Sequence, residues 1–203
     1  MLIEFEIVKE KVLKMLTLHS NPVLAYHSVY HTMDVLCNAE RIASEEGLTD
    51  GKKLLLLKLA ALYHDTGFLF VYKGHEEKSC EIARKDLANS AITPEEMNTI
   101  CSMIMATRVP QSPKNHLEEI LCDADLDYLG RDDFDLISDN LRKEYFDLGF
   151  IKTEEEWTQV QIKFIGSHEY FTKASRIKRN IKKCKHLKRL RAQVDINITN
   201  KEL

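Results

Sequence analysis

Helix breakers are scarce, with only 7 glycines and 4 prolines in 203 residues. That scarcity, set beside many Leu, Ile, Lys and Glu, excludes a turn-rich β architecture and predicts an all-α protein. The five cysteines (Cys37, Cys80, Cys101, Cys122 and Cys184) are odd in number and contain no C-x-x-C pair. This argues against a disulfide framework or a zinc ribbon and leads us to expect buried free thiols in a reducing compartment. No apolar run reaches the roughly 18 residues that a membrane span needs. The opening MLIEFEIVKE carries charge where a signal peptide would need an apolar core. A cytoplasmic protein is expected. The net charge of −3 gives no general attraction to nucleic acid.

Apolar residues at helical spacing predict a first helix over about 5–18. A second is expected over about 25–46, ended by Gly47 as a C-cap. The run 53-KLLLLKLAALYHD-65 is apolar almost all round, as in the buried centre of a bundle. Further helices are expected over 75–87, from the capped start 93-TPEE-96, and from near 116 carrying 121-LCDADLDYLG-130. Two more follow over 132–149 and from 153-TEEEW-157. We expect one compact bundle of eight or nine helices over 1–192, with its motifs in 25–130 and a basic helix over 168–192. Residues 193–203 are expected to be a disordered tail.

Three pieces carry possible chemistry. In 26-YHSVYH-31, His27 and His31 stand four apart, which on a helix is one face. Such a pair alone is more often packed or hydrogen-bonded than functional. In 62-LYHDTG-67, His64 and Asp65 close an apolar helix; they either lie exposed at its end or point at a buried cation, because an unpartnered buried carboxylate is very costly. In 123-DADLD-127, three carboxylates at alternate positions repel unless water or a cation screens them, and a solvated face is the plain alternative for them. Together the pieces make a mixed nitrogen and oxygen ligand set. It suits a divalent ion: Mn, Fe, Co, Ni or Zn, or a more hydrated Mg.

The ordered set His31, His64-Asp65 and Asp125 resembles the HD-domain superfamily of metal-dependent phosphohydrolases. The runs around Tyr26, His27, His31 and Val35, then LAALYHDTG, then LCDADLDYLG, look like successive family motifs. GHEEKS, IMAT and 141-LRKEY-145 add a likeness to one group of small, largely uncharacterised predicted members. The resemblance implies an HD-type helical bundle with His31, His64, Asp65 and Asp125 as metal ligands. In a hydrolase of this kind Asp65 is expected also to accept a proton from the attacking water. The similar run in the cyclic-nucleotide phosphodiesterases implies that His27 protonates the leaving oxygen, although Ser28 stands where they have Asn. His75 and Glu76 would support the site or hold a second metal. Thr107 stands where a further histidine would be wanted, which favours a single tight ion or a second held mainly by substrate phosphate.

Hydrolysis of a phosphomonoester or phosphodiester, expected to be a nucleotide, by a metal-activated hydroxide is the implied function. The alternative is a non-catalytic HD module binding a nucleotide, nucleic acid or a protein partner. Lys73, Arg108 and Lys114 are candidate phosphate ligands, Arg108 by a bidentate clamp, against the plainer reading of solvated loop charges. The run 173-KASRIKRNIKKCKHLKRLR-191 reads as an amphipathic helix packed through Ile177, Ile181, Cys184 and Leu187 or Leu190, with a basic outer face. That face is solvated, or it meets a polyanion such as nucleic acid or an acidic partner.

Overall fold

A computed structural model describes residues 2–19 and 21–201; side chains are described over 5–19 and 21–194. The elements are α1 (Leu2–Leu18), α2 (Val29–Glu45), α3 (Gly51–Tyr63), α4 (His75–Asp86), α5 (Pro94–Ala106), α6 (His116–Asp125), α7 (Phe134–Asp147), α8 (Glu154–Ser167) and α9 (Lys173–Lys201). Short 3₁₀ turns at Thr66–Leu69 and Asp127–Gly130 follow α3 and α6. There is no strand among the described residues, so the protein is all-helical as expected.

Local chemistry sets several boundaries. The Asp50 carboxylate accepts from the Lys52 and Lys53 amides and starts α3. Thr93 and Glu96 form a reciprocal capping box around Pro94 at the start of α5. Asn115 and Thr153 accept amide bonds at the starts of α6 and α8. Each such cap is worth about 1 kcal/mol.

Two apolar clusters form. The larger surrounds α3, whose Leu57, Ala60, Leu62 and Tyr63 are fully buried among α1, α2, α4, α5 and α6. The smaller joins Tyr26 from ahead of α2 and Leu126 from the end of α6 to Leu129 of the second 3₁₀ turn, Phe134 of α7, Ile165 of α8 and Leu190 of α9. A Cβ on Gly130 would collide with the Arg179 backbone, so glycine lets α9 lie directly on that turn.

Several expectations need correction. α2 begins at Val29 with Ser28 as N-cap, leaving His27 ahead of the helix. α6 stops at Asp125, so 127–130 is a 3₁₀ turn instead of continuing helix. Cys80, Cys101 and Cys122 are buried, but Cys37 and Cys184 are exposed. Ile177 and Ile181 do not pack either, being 69% and 71% exposed. The early part of α9 docks through polar contacts instead. Asp127 accepts from Arg179 Nε at 2.9 Å and Nη2 at 2.7 Å, and from Arg41 Nη2 at 2.7 Å. Helix is described as far as Lys201, where a disordered tail was expected from 193; no Gly or Pro follows the basic run to stop it.

Candidate metal centre and adjoining cavity

His31 lies in the first turn of α2, His64 caps the end of α3, Asp65 follows it, and Asp125 ends α6. Packing α2 and α6 against α3 brings the four together, with one ligand atom from each lying within 4.8 Å of the others. His31 Nε2 is 3.2 Å from both Asp65 Oδ2 and Asp125 Oδ1. His64 Nε2 is 3.2 Å from Asp65 Oδ2 and 3.3 Å from His31 Nε2. His64 Nδ1 donates to the Ala61 carbonyl at 2.8 Å. A carbonyl can only accept, so the proton is on Nδ1 in the neutral ring and Nε2 is free to bind a cation.

Electrostatics tie the four together. Burial pushes the Asp125 carboxyl up, but hydrogen bonds and charge from His31 and His64 outweigh it and hold Asp125 at about 2. Burial opposes the charged form of His31, yet hydrogen bonds to Asp125 and Asp65 raise it to about 9. Two imidazoles and two carboxylates thus balance in charge, and a divalent ion would displace the imidazole protons. Two nitrogen and two oxygen donors, buried and convergent, fit such an ion.

The acidic triplet divides its work. Only Asp125 faces the cluster. Asp123 accepts from the Phe171 and Thr172 amides at 2.8 Å each and from the Thr172 hydroxyl at 2.6 Å, anchoring the approach to α9. Asp127 holds the two arginines. The expected mutual repulsion is met by three separate sets of partners.

Around this core the other candidates fall differently. Glu144 of α7, which sequence reasoning did not select, is fully buried. Its Oε2 accepts from the Tyr26 and His27 amides at 3.1 and 3.2 Å, and its Oε1 pairs with His27 Nδ1 at 2.5 Å. Those bonds hold 26–28 out of the helix and aim the far side of the His27 ring away from Glu144. The His27 ring stacks on Phe68 at 3.7 Å, and Phe68 stacks on His75 at 3.8 Å. His75 Nδ1 donates to the Tyr72 carbonyl at 3.0 Å, and its Nε2 is 3.6 Å from Asp65 Oδ1 and from Glu76 Oε1. A Cβ on Gly67 would strike the His75 backbone, so glycine here permits α4 to start against the His-Asp turn.

Arg108 is engaged by carboxylates, contacting Glu77 and, at 3.2 Å, Glu76. Lys73 and Lys114 are exposed. None of the three cations lines the cavity that opens from the cluster. That cavity is about 270 Å³ and has His27, Asp65, His75, Glu76 and Asp125 at one end. Its walls beyond are supplied by α7 and α8, including Leu141, Trp157, Val160 and Ile165.

Against known families, the HD-domain model matches residues 28–127. Residues 28–127 are similar to an HD domain. The HD match contains all four clustered residues, whereas His27 lies one residue ahead of it and Glu144 and the α7–α8 cavity wall lie beyond it. HD domains are generally metal-dependent phosphohydrolases, and some are non-catalytic. No match was found among curated proteins or among solved structures. No helix among the described residues is long and apolar enough to cross a membrane.

Proposed function

We propose that the protein is a metal-dependent phosphohydrolase that cleaves a phosphate ester. The observation that carries this reading is the convergence of His31, His64, Asp65 and Asp125 at one end of a cavity that also presents His27. A divalent ion bound there supplies Lewis acidity toward a phosphoryl oxygen and acidifies a bound water.

The chain's own groups do the rest. Asp65 Oδ1 points toward His75 Nε2, beside the four-ligand set, and accepts a proton from the attacking water. Glu144 accepts from His27 Nδ1–H, so Nε2 is the nitrogen left facing the leaving oxygen, and it gives up a proton there from the doubly protonated ring. The two bonds from Glu144 to the Tyr26 and His27 amides stop the ring from turning away. Burial pushes the Glu144 carboxyl up, but its bonds to His27 prevail and keep it charged. His75 and Glu76 border the same space and orient water or ligand there.

The test is a panel of nucleoside mono-, di- and triphosphates, cyclic nucleotides and aryl phosphates, with Mn²⁺, Mg²⁺, Co²⁺ or chelator, alongside Asp65→Ala. Turnover that requires metal and disappears in Asp65→Ala is expected. Absence of both turnover and metal binding would overturn the reading in favour of a non-catalytic binding module.

A further inference from the structure

The substrate's identity lies in what surrounds the phosphate, and here the cavity speaks through the residues it lacks. Among the described residues, no lysine or arginine lines it. Every ionisable group on its surface other than the tyrosines belongs to the metal-facing end: His27, Asp65, His75, Glu76 and Asp125. Arg108, the cation nearest in sequence to the lining residues Thr107 and Val109, is tied to Glu76 and Glu77. A polyphosphate brings several negative charges, and each beyond those at the metal would be desolvated against apolar wall with no partner.

The far wall is chemically uniform with one exception. Leu141, Tyr145, Trp157, Val160, Phe164 and Ile165 provide apolar and aromatic surface. Trp157 is buried and meets Tyr145 edge-on with ring centroids 5.6 Å apart. The exception is the pair Gln161 and Ser138, in which Gln161 Nε2 donates to Ser138 Oγ at 2.6 Å. That bond leaves the Gln161 carbonyl as an acceptor and the Ser138 hydroxyl proton as a donor. An uncharged group with one donor and one acceptor on a single edge satisfies both. The volume, about 270 Å³, is just under the roughly 300 Å³ at which small-molecule pockets usually begin.

We propose that the substrate is a monophosphate ester of a compact, uncharged, ring-bearing alcohol, whose ring lies against Trp157 with its polar edge on Gln161 and Ser138. This rests on the phosphohydrolase reading of the adjoining cluster and adds the class of group that the phosphate is removed from. The cavity takes the ring and excludes further phosphates.

Trp157 is the single tryptophan of the chain, so its emission reports occupancy of this wall directly, without turnover. The 203-residue chain, in chelator, would be titrated with benzyl alcohol, thymidine, ATP and inorganic triphosphate. Saturable changes in Trp157 emission with the two uncharged alcohols, and none with ATP or triphosphate, are expected. Ser138→Phe, which fills the cavity, should remove the response, and Val160→Lys should weaken it; Mn²⁺ binding measured by calorimetry should persist in both. With Mn²⁺ present, benzyl phosphate and thymidine monophosphate should exceed ATP in kcat/KM by roughly 100-fold. Equal or tighter binding of ATP, or no response to either alcohol, would overturn the proposal. Metal-dependent hydrolysis that favours ATP would overturn it while leaving the phosphohydrolase reading intact. Binding of the alcohols without turnover of any ester would instead remove the phosphohydrolase reading, and the substrate assignment with it.

Discussion

One end of the cavity meets the cluster of His31, His64, Asp65 and Asp125 in the α2–α6 half of the chain, through Asp65 and Asp125; the far end is built by α7 and α8 from Leu141, Trp157, Val160 and Ile165. The first set lies wholly within the HD match at 28–127, and the second wholly outside it. The two ends also differ in how they are held. The four clustered residues constrain each other through charge, so each is stable only with its partners. The apolar wall is held by packing and tolerates many sequences of similar volume. A shared domain can therefore keep its chemistry while the attached helices change what enters. His27 stands at the junction, with its backbone beside the ligand helix and its ring fastened to Glu144 of α7.

The strongest way to break this division is Asp125→Ala. It should remove stoichiometric metal, measured by elemental analysis, and lower turnover to the level seen with chelator. The cavity end should be unaffected, so Trp157 emission should still respond to uncharged ring alcohols. If metal content survives, the ligand assignment is wrong.

Trp157→Ala breaks the other end. Losing a buried tryptophan costs about 3–5 kcal/mol, read by denaturant unfolding. The surviving folded fraction should bind Mn²⁺ with unchanged affinity, which calorimetry would check. Coupled loss of metal affinity would show that the two ends are not separable.

Glu144→Gln probes the junction. It keeps the volume and one acceptor but removes the charge that pairs with His27. We expect kcat to fall roughly 100-fold, as for loss of general acid catalysis, with KM and metal content nearly unchanged. Steady-state kinetics with metal analysis would separate this from a collapse of the site, and equal loss in metal content would refute the positioning role.

The smallest effect is a pH dependence away from the metal. Burial and neighbouring Lys183 hold His168 down at about 3, against an ordinary value of 6.5. Between those values the unfolded chain takes up a proton there and the folded chain does not. Stability from this group is therefore full above pH 6.5 and is lost as pH falls toward 3. The loss from pH 7 to pH 5 should be about 2 kcal/mol, and His168→Gln should flatten that part of the curve in thermal melts.

Much of the site was legible because its residues sit in short runs with a fixed order. An apolar helix that ends in His64 and Asp65 needs somewhere to put them, and α3 does turn them onto His31 and Asp125. Glu144 was not legible. It lies 117 residues from His27, and although the 141-LRKEY-145 run carries part of the family likeness, nothing in that run sets Glu144 apart from Arg142 or Lys143. The split among Asp123, Asp125 and Asp127 was hidden for a related reason. Their directions depend on the change from α6 to a 3₁₀ turn and on partners in α2, in α9 and at its approach. The exposed Ile177 and Ile181 mislead because periodicity reports which residues share a face, not which face a neighbour covers.

What the sequence determined by itself was the all-helical architecture, most helix starts and the four metal-ligand candidates, because breakers, caps and short motifs act over a few residues. Tertiary structure alone decided that His27 leaves the helix for Glu144, that Arg108 is occupied by Glu76 and Glu77, and that the cavity beyond the metal end is apolar. Those outcomes depend on which surfaces α7 and α8 bring to residues 28–127, and contacts across such distances in the chain leave no periodic trace in it.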